Sequence, residues 1–361
     1  MSDSASGTGS YIIPAASACT AKGPSATPEL TSGCALPLGP LSNYAQVGDS
    51  LLGTLCGPTH QRWLNVSETE IYQKAPWNMS TTENSDATVA NDIPITGVTR
   101  YYNFTVTRSR ISADGVLRDV ILINDQFPGP LVEANWGDMV EVTVNNNIAS
   151  PEEGTAIHWH GIPQRNSPWY DGTPGIAQCP IAPGATFTYK FQAQEHGSSW
   201  YHAHYSAQYT AGVGGPMVIY GPSSGYYDID LGPVMLSDWY HVPYFSIVAD
   251  AVGTNFSVIP PMSDSGLING RGRFDCSKPS YSNSSDWLAS NIQSDLDWTC
   301  VDDAALSEFR FETGKIHKMR IMNVGANGIA KFSIDNHVLT VIAIDFVPVQ
   351  QYDTQVLTLA V

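Results

Sequence analysis

The sequence is poor in charge, and most of the charge that it carries is negative. Asp and Glu number 34 against 17 Lys and Arg, and charged residues make up 14% of the chain. Typical soluble domains contain about 25% charged residues. A formal net charge of −17 argues against nucleic acids and anionic membranes as partners. It suits an acidic, soluble and extracellular protein.

Long apolar runs and a clear leader segment are also missing. No apolar stretch approaches the roughly 18 residues that would span a membrane. The start, M-S-D-S-A-S-G-T-G-S, has no basic region, and the segment 11–18 is short and broken by Pro14, so neither forms a signal peptide. We therefore expect either an incomplete N-terminus or a cytosolic product. Secretion and an incomplete start are favoured, because five N-x-[ST] glycosylation sequons occur, at Asn65, Asn78, Asn103, Asn255 and Asn283.

The six cysteines contain no C-x-x-C pair, which argues against a zinc ribbon or a thioredoxin-type site. The spacing favours a bridge between Cys276 and Cys300 if the compartment is oxidising. Free buried thiols remain an alternative, since spacing alone does not fix connectivity.

Glycine and proline are plentiful, with 31 and 24 residues, and indicate a turn-rich β protein. Residues 1–95 show no sustained period and are predicted to be a loop-rich extension. From Gly97 onward, short apolar-alternating segments follow one another without one clear amphipathic helix, which predicts β-sandwiches with Greek-key connections. The linker G-P-S-S-G divides a domain at 96–222 from one at 223–361, and the latter ends in mid-strand, so we expect it to be incomplete.

Two histidine pairs carry the chemistry. In A-I-H-W-H-G, His158 and His160 lie two residues apart, so their side chains leave an extended strand on the same face. The run S-W-Y-H-A-H-Y repeats this spacing with His202 and His204. Side by side, the two strands would converge four imidazoles, which suit copper, zinc, iron or nickel. Ordinary polar packing and a zinc or iron site remain alternatives. Three neighbouring aromatic residues are predicted to lie in the core: Trp159, Trp200 and Tyr201.

The strings H-W-H-G-I-P-Q-R-N-S-P-W-Y-D-G-T-P-G-I-A-Q-C-P-I and W-Y-H-A-H-Y-S-A-Q-Y-T-A-G-V-G-G-P-M-V-I-Y closely resemble the first two signature stretches of multicopper oxidases, fungal laccases above all. The resemblance runs from Thr96 to Val361 and implies tandem cupredoxin domains. It also implies copper, with His158 as a type 2 ligand and His160, His202 and His204 as type 3 ligands. The implied reaction oxidises phenols or aromatic amines and reduces dioxygen to water, outside the cell.

Two aspartates match functional positions of the family. Asp171, in a D-G step, is similar to the acidic residue that supplies protons near the copper cluster. Asp238, in S-D-W-Y-H, matches an acidic residue that meets the phenolic hydroxyl of the substrate. A turn-capping role for Asp171 and a purely structural strand-end role for Asp238 remain alternatives.

The sequence departs from the family in what it lacks. The H-x-x-H-x-H and H-C-H strings, which supply the other cluster ligands and the blue copper site, are absent. The resemblance therefore implies an N-terminal fragment, inactive alone, with half of the copper cage. Cys179 resembles a cysteine whose partner lies in the third domain, so it is expected to be unpaired. A non-catalytic copper-binding protein of cupredoxin type is the alternative, and cluster completion between monomers ranks below both. The remaining histidines stand alone and are predicted not to bind metal: His60, His196, His241, His317 and His337.

Overall fold

In a computed structural model, the described residues are 46–47, 93, 98–221, 223–254, 261–277 and 299–361. The predicted loop-rich extension at 1–95 lies almost entirely outside them, as do His60, Cys19, Cys34, Cys56 and the sequons other than Asn103. The short strand β1 (Gln46–Val47) pairs in parallel with residues 308–309. Strands dominate the rest of the described part, which confirms the all-β prediction. No helix there is long and apolar enough to cross a bilayer.

Residues 99–220 form a sandwich of two four-stranded sheets. Its strands are β2 (Thr99–Ile111), β3 (Arg118–Ile123), β4 (Val132–Asn135), β5 (Met139–Asn146), β6 (Ile157–Trp159), β7 (Thr186–Gln192), β8 (Gly197–Ala203) and β9 (Gly214–Tyr220). One sheet has the order β3-β2-β5-β7 and the other β4-β9-β8-β6. Neighbours in the sheets are therefore often distant in sequence, as in a Greek key.

The strand patterns explain this packing. In β5 the residues alternate between half-buried and buried along its whole length, and Val140, Val142 and Val144 enter the core. This period of two is that of a strand with one covered face. Trp159 and Tyr201, from the two histidine strands, are fully buried in the same core, as predicted.

Residues 229–359 form smaller sheets. Their elements are β10 (Ile229–Trp239), α1 (Tyr244–Ala251), β11 (Ser265–Ile268), β12 (Glu308–Phe309), β13 (His317–Asn323), β14 (Ala330–Phe332), β15 (Leu339–Ile344), β16 (Val347–Thr354) and β17 (Leu357–Leu359). The sheets have the orders β11-β10-β13, β14-β17 and β15-β16. The helix α1 is not predicted from the sequence, because eight residues are too few for a helical period to stand out.

The cysteine predictions hold within the described part. Cys276 and Cys300 are joined by a disulfide with a Cα–Cα distance of 5.9 Å, within the usual range. Cys179 is free and exposed. The bridge fastens a long connection between β11 and β12.

Buried polar contacts join the two halves of the chain. Nε2 of His241 lies 2.7 Å from the carboxylate of Asp114, and both side chains are fully buried. The Arg118 guanidinium stacks 4.1 Å from the ring centroid of Trp239. Tyr244, at the start of α1, donates a hydrogen bond to Glu153 at 2.5 Å. The placement of the second half against the first is therefore specific.

Candidate metal centre

The two histidine pairs lie on adjacent antiparallel strands. In the pairing of β6 with β8, His158 is directly opposite His202. The pairing continues past the end of β6, because the amide of His160 donates to the carbonyl of Trp200 at 3.1 Å and that of His204 donates to Ala156 at 3.0 Å. Directly opposed side chains in such a pair are within contact distance. This register brings the two histidine motifs together in one cluster.

The sequence predicts that four imidazole rings converge; the ring nitrogens of His158, His160 and His202 form a close group, and the His204 ring lies beside it, outside that group. The ring centroid of His158 lies 5.8 Å from that of His160, 5.3 Å from that of His202 and 5.6 Å from that of His204. One ring nitrogen from each of His158, His160 and His202 lies within 4.8 Å of the other two. In the described part of the chain this is the only group of three or more His, Cys, Asp or Glu residues with such spacing.

Backbone carbonyls fix two of these rings. Nδ1 of His158 lies 2.7 Å from the carbonyl oxygen of Asp171, and Nδ1 of His202 lies 3.1 Å from that of Ala203. Since a carbonyl only accepts hydrogen bonds, each Nδ1 carries the proton in the neutral ring. Nε2 of both rings then keeps a lone pair for a metal ion, as in many metal sites where a second contact sets the tautomer.

The glycine after Asp171 makes the contact with His158 possible. Gly172 has φ +83°, and a Cβ on it would lie 1.8 Å from the carbonyl oxygen of Ile157. Only glycine lets the loop approach β6 so closely. The Asp171 carboxylate also lies 3.4 Å from Nδ1 of His158. The contact between this loop and His158 therefore requires Gly172 as well as Asp171.

Desolvation keeps His202 and His160 uncharged near neutral pH. Burial, aided by the neighbouring histidines, lowers the pKa of His202 to about 3. Burial and the nearby His158 also lower the pKa of His160, against an opposing effect of Asp345. Neutral imidazole is the form that binds metal, so both rings are in their binding state at pH 7.

The donor spacing fits a metal ion. Nδ1 of His160 and Nε2 of His202 are 3.4 Å apart. Two imidazoles bound to one ion by bonds of about 2 Å, at an angle between tetrahedral and trigonal, bring their nitrogens within about 3.3–3.5 Å of each other. The residues present therefore fit a copper or zinc ion, and imidazole ligation suits both.

A cleft beside the cluster is lined by Asp238 and by Trp200, and the position of Trp200 differs from the prediction. Trp200, predicted to lie in the core, is only half-buried: it lines this cleft and stacks on His202 with ring centroids 4.1 Å apart. Its neighbour Tyr201 takes the core position instead, because adjacent residues of a strand face opposite ways. Asp238 lines the same cleft, between the two halves of the chain.

The Asp238 carboxylate has several partners of its own. It accepts hydrogen bonds from the amides of Ala326, Asn327 and Gly328 at 2.8–3.0 Å, and Tyr240 donates to it at 3.3 Å. These contacts hold the loop that follows β13. They support the structural role that the sequence left open for this residue.

The other described histidines lie away from the cluster. His196 is buried in a loop with its ring edge against Trp136, as the loop prediction requires. His241 binds Asp114 in the core. His317 accepts a hydrogen bond from the amide of Glu312, and His337 is exposed.

One neighbour of the site has no counterpart in the sequence motifs. The turn between β15 and β16, residues 345–346, packs against the glycines at 161 and 197 beside the cluster. These positions are about 150–180 residues apart in the chain, so no local pattern could relate them.

The fold and the cluster together define a class: a β-sandwich protein with a cluster of imidazoles, able to hold a metal ion, on two adjacent strands of its first sandwich. Comparison with known proteins narrows this class. Multicopper oxidase family profiles match residues 105–224 and 230–361.

Curated relatives and a solved structure agree. Laccase-2 of Botryotinia fuckeliana is 42% identical over 74% of this chain and 42% of its own length. Oxidoreductase OpS5 of Beauveria bassiana is 46% identical over 72% of this chain and 41% of its own. The crystal structure of a laccase from Botrytis aclada superposes with a TM-score of 0.66 at 40% identity, covering 78% of this chain and 48% of that one.

The chain belongs to the multicopper oxidase family and is of the fungal type. Its sandwiches are therefore cupredoxin domains, as the resemblance implied, and the family's cofactor is copper. The chain spans about two fifths of the length of these curated relatives.

Proposed function

We propose that this chain supplies four histidine ligands to a trinuclear copper centre in a laccase-like oxidase. His158 would serve the type 2 copper, and His160, His202 and His204 the type 3 pair. The reaction would take electrons from phenols or aromatic amines and reduce dioxygen to water. The observation that carries the proposal is the convergence of ring nitrogens of His158, His160 and His202 within 4.8 Å of one another. His204 is included because its ring lies 5.6 Å from that of His158, centroid to centroid.

The protein's own groups have clear tasks in this reaction. The carbonyls of Asp171 and Ala203 hold His158 and His202 with Nε2 directed away from the backbone contacts. The buried side of the cluster limits access of water, which strengthens electrostatic interactions at the site. Copper, when bound, would pass electrons to dioxygen.

Asp171 is proposed as a proton donor, because reduction of dioxygen consumes protons. Its carboxylate is half-exposed and lies 3.4 Å from Nδ1 of His158, so it bridges solvent and the cluster. Asp171→Asn should slow oxygen uptake most at high pH, where solvent protons are scarce. An unchanged pH–rate profile would leave Asp171 with the turn-capping role alone.

Asp238 is proposed more narrowly, as a residue that meets the phenolic hydroxyl at the cleft. The cleft is also lined by the half-buried Trp200 and the buried Trp239. Asp238→Asn should raise KM for phenols and leave KM for non-phenolic amines unchanged. Equal changes for both substrates, with lowered thermal stability, would show that its loop contacts are its whole role.

A metal titration tests the function. The metal-free protein is titrated with Cu(II), and bound copper is counted by elemental analysis and EPR. We expect binding by the wild type and by His337→Gln, an exposed control. Affinity should fall by more than about 100-fold in His202→Gln, since even indirect partners of a ligand contribute 10–100-fold. Wild-type protein that binds no copper would contradict the proposal.

Phenol-dependent oxygen uptake tests the alternative, a non-catalytic copper-binding protein. Uptake by the copper-bound chain would contradict that alternative and support the oxidase. Copper binding without turnover is expected of the alternative and also of a ligand-supplying chain that is inactive alone. That alternative is kept because the other described histidines lie outside the cluster.

An extracellular location is part of the proposal. Asn103, the sequon within the described part, is exposed on β2 and so is accessible to glycosylation. A mass shift of secreted protein on treatment with an N-glycosidase checks this location, and intracellular, unmodified protein would oppose it.

A further inference from the structure

A phenylalanine from the second half of the chain lies in the core of the first sandwich. Phe346 is only 3% exposed and belongs to the same core cluster as Trp159 and Tyr201. It lies in the two-residue turn between β15 and β16. The residues of these two strands are half-buried or exposed. The hairpin thus buries its tip in a domain other than its own.

Two glycines beside the histidine strands receive this tip. A Cβ on Gly161 would lie 2.9 Å from the Phe346 ring, and a Cβ on Gly197 would lie 2.5 Å from the carbonyl oxygen of Asp345. Both distances are shorter than real Cβ contacts allow. The phenyl ring and the turn therefore rest directly on the backbone at these glycines.

The first of these glycines follows His160. The backbone of His160 is held by β8, where its amide donates to Trp200 at 3.1 Å and its carbonyl accepts from the Ser199 hydroxyl at 2.8 Å. Phe346 packs on Gly161, the residue that follows His160, close to the Ser199 hydroxyl. The backbone next to His160 is thus in contact with both β8 and the phenyl ring.

His160 differs from His158 and His202 in how its ring is held. Backbone carbonyls hold the rings of His158 and His202 through Nδ1. In the described part of the chain, the contact of the His160 ring nitrogens is instead with His202, at 3.4 Å, which is the distance expected of two ligands of one ion. The backbone at His160, together with the ring contacts to His202 and Trp200, therefore sets the position of its ring.

We propose that Phe346 is a positioning residue for the metal ligand His160. Its ring, resting on Gly161 and Gly197, fixes the peptide from which His160 directs Nδ1 toward Nε2 of His202. The second half of the chain thereby contributes to the metal centre without supplying a ligand. This inference rests on the proposed function, since it assigns a role within the same site.

The test compares three variants with wild-type protein. Phe346→Ala removes the ring, and Phe346→Leu keeps an apolar side chain there. Ile344→Ala is the matched control, because Ile344 precedes the same turn and is 53% exposed. Circular dichroism and thermal unfolding select conditions under which all four proteins are folded. Each is then titrated with Cu(II), and amide hydrogen exchange of the peptide containing His160 is measured by mass spectrometry without metal.

We expect Phe346→Ala to weaken copper binding about 10-fold or more and to speed exchange of the His160 amide without metal. Phe346→Leu should recover part of both properties, and Ile344→Ala should match the wild type. A copper affinity of Phe346→Ala within twofold of wild type, or an equal loss in Ile344→Ala, would overturn the inference.

The two proposals fail in different ways. Wild-type protein that binds no copper contradicts the proposed function, whatever the variants do. In that case the exchange measurement still judges the role of Phe346, because it needs no metal. Unchanged exchange at His160 in folded Phe346→Ala would show that the ring only fills space between the domains.

Discussion

The two halves of the described chain differ in how completely their strands are covered. In residues 98–221, two four-stranded sheets face each other and bury most of their inward side chains. In residues 324–361, short two-stranded sheets leave many apolar residues exposed, among them Ile329, Val338 and Val347. Both regions have strand-forming sequences. The difference shows that burial in a β protein depends on the sheet opposite a strand, which the strand's own pattern does not specify.

Substitution of large aromatic residues in each half gives the largest expected contrast. Trp159→Ala should lower the free energy of unfolding by about 3–5 kcal/mol, because a fully buried ring leaves a cavity. Tyr352→Ala, at a residue 49% exposed on β16, should change it by no more than about 0.5 kcal/mol. Urea unfolding of metal-free protein measures both. Similar losses would mean that the exposed strands are covered in solution.

Loss of a buried contact between the two halves should lower the free energy of unfolding almost as much. Asp114→Ala leaves the buried His241 without its 2.7 Å carboxylate partner and should lower the free energy of unfolding by about 3 kcal/mol. Asp119→Ala is the control, because its ion pair with Arg110 is about half-exposed and such pairs contribute about 0–1 kcal/mol. If Asp114→Ala were as mild as Asp119→Ala in urea unfolding, the halves would be held together elsewhere.

Low pH should destabilise the folded protein at the contact between the two halves, through protonation of His196. Burial, together with the nearby Lys318, lowers the pKa of His196 to about 4, against about 6.5 in an unfolded chain. Between these values the unfolded state binds more protons, so stability falls as the pH drops from 6.5 to 4. His196→Gln should reduce this fall by about 2 kcal/mol.

The pH dependence is read from unfolding curves at several pH values. His337→Gln, at an exposed position, serves as the control and should leave the pH dependence unchanged. Equal slopes for His196→Gln and wild type would show that His196 is not buried in the neutral form.

Much of the site could be predicted from local sequence. The two H-x-H motifs fixed the side-chain faces, because alternation along a strand is a property of the backbone. Trp159 was assigned to the core for the same reason. The bridge from Cys276 to Cys300 followed from spacing, and the structure confirms it. These inferences needed only residues close in the chain.

The remainder depends on contacts between distant residues. The backbone carbonyl of Asp171 orients the ring of His158, which lies 13 residues away in the sequence. A sequence motif identifies the Asp171 carboxylate but does not indicate this backbone contact. Trp200 was misplaced because strand alternation puts it on the face of His202 and not in the core with Tyr201. Phe346 reaches the site from another domain. Its packing against Gly161 and Gly197 is apparent only in the three-dimensional structure.

The central claim is that the two histidine strands bind copper together. The most direct measurement is anomalous X-ray diffraction, recorded on both sides of the copper absorption edge, from crystals of the protein grown with Cu(II). We predict an anomalous difference peak between Nδ1 of His160 and Nε2 of His202. Copper peaks located elsewhere, with no density at these nitrogens, would contradict the account.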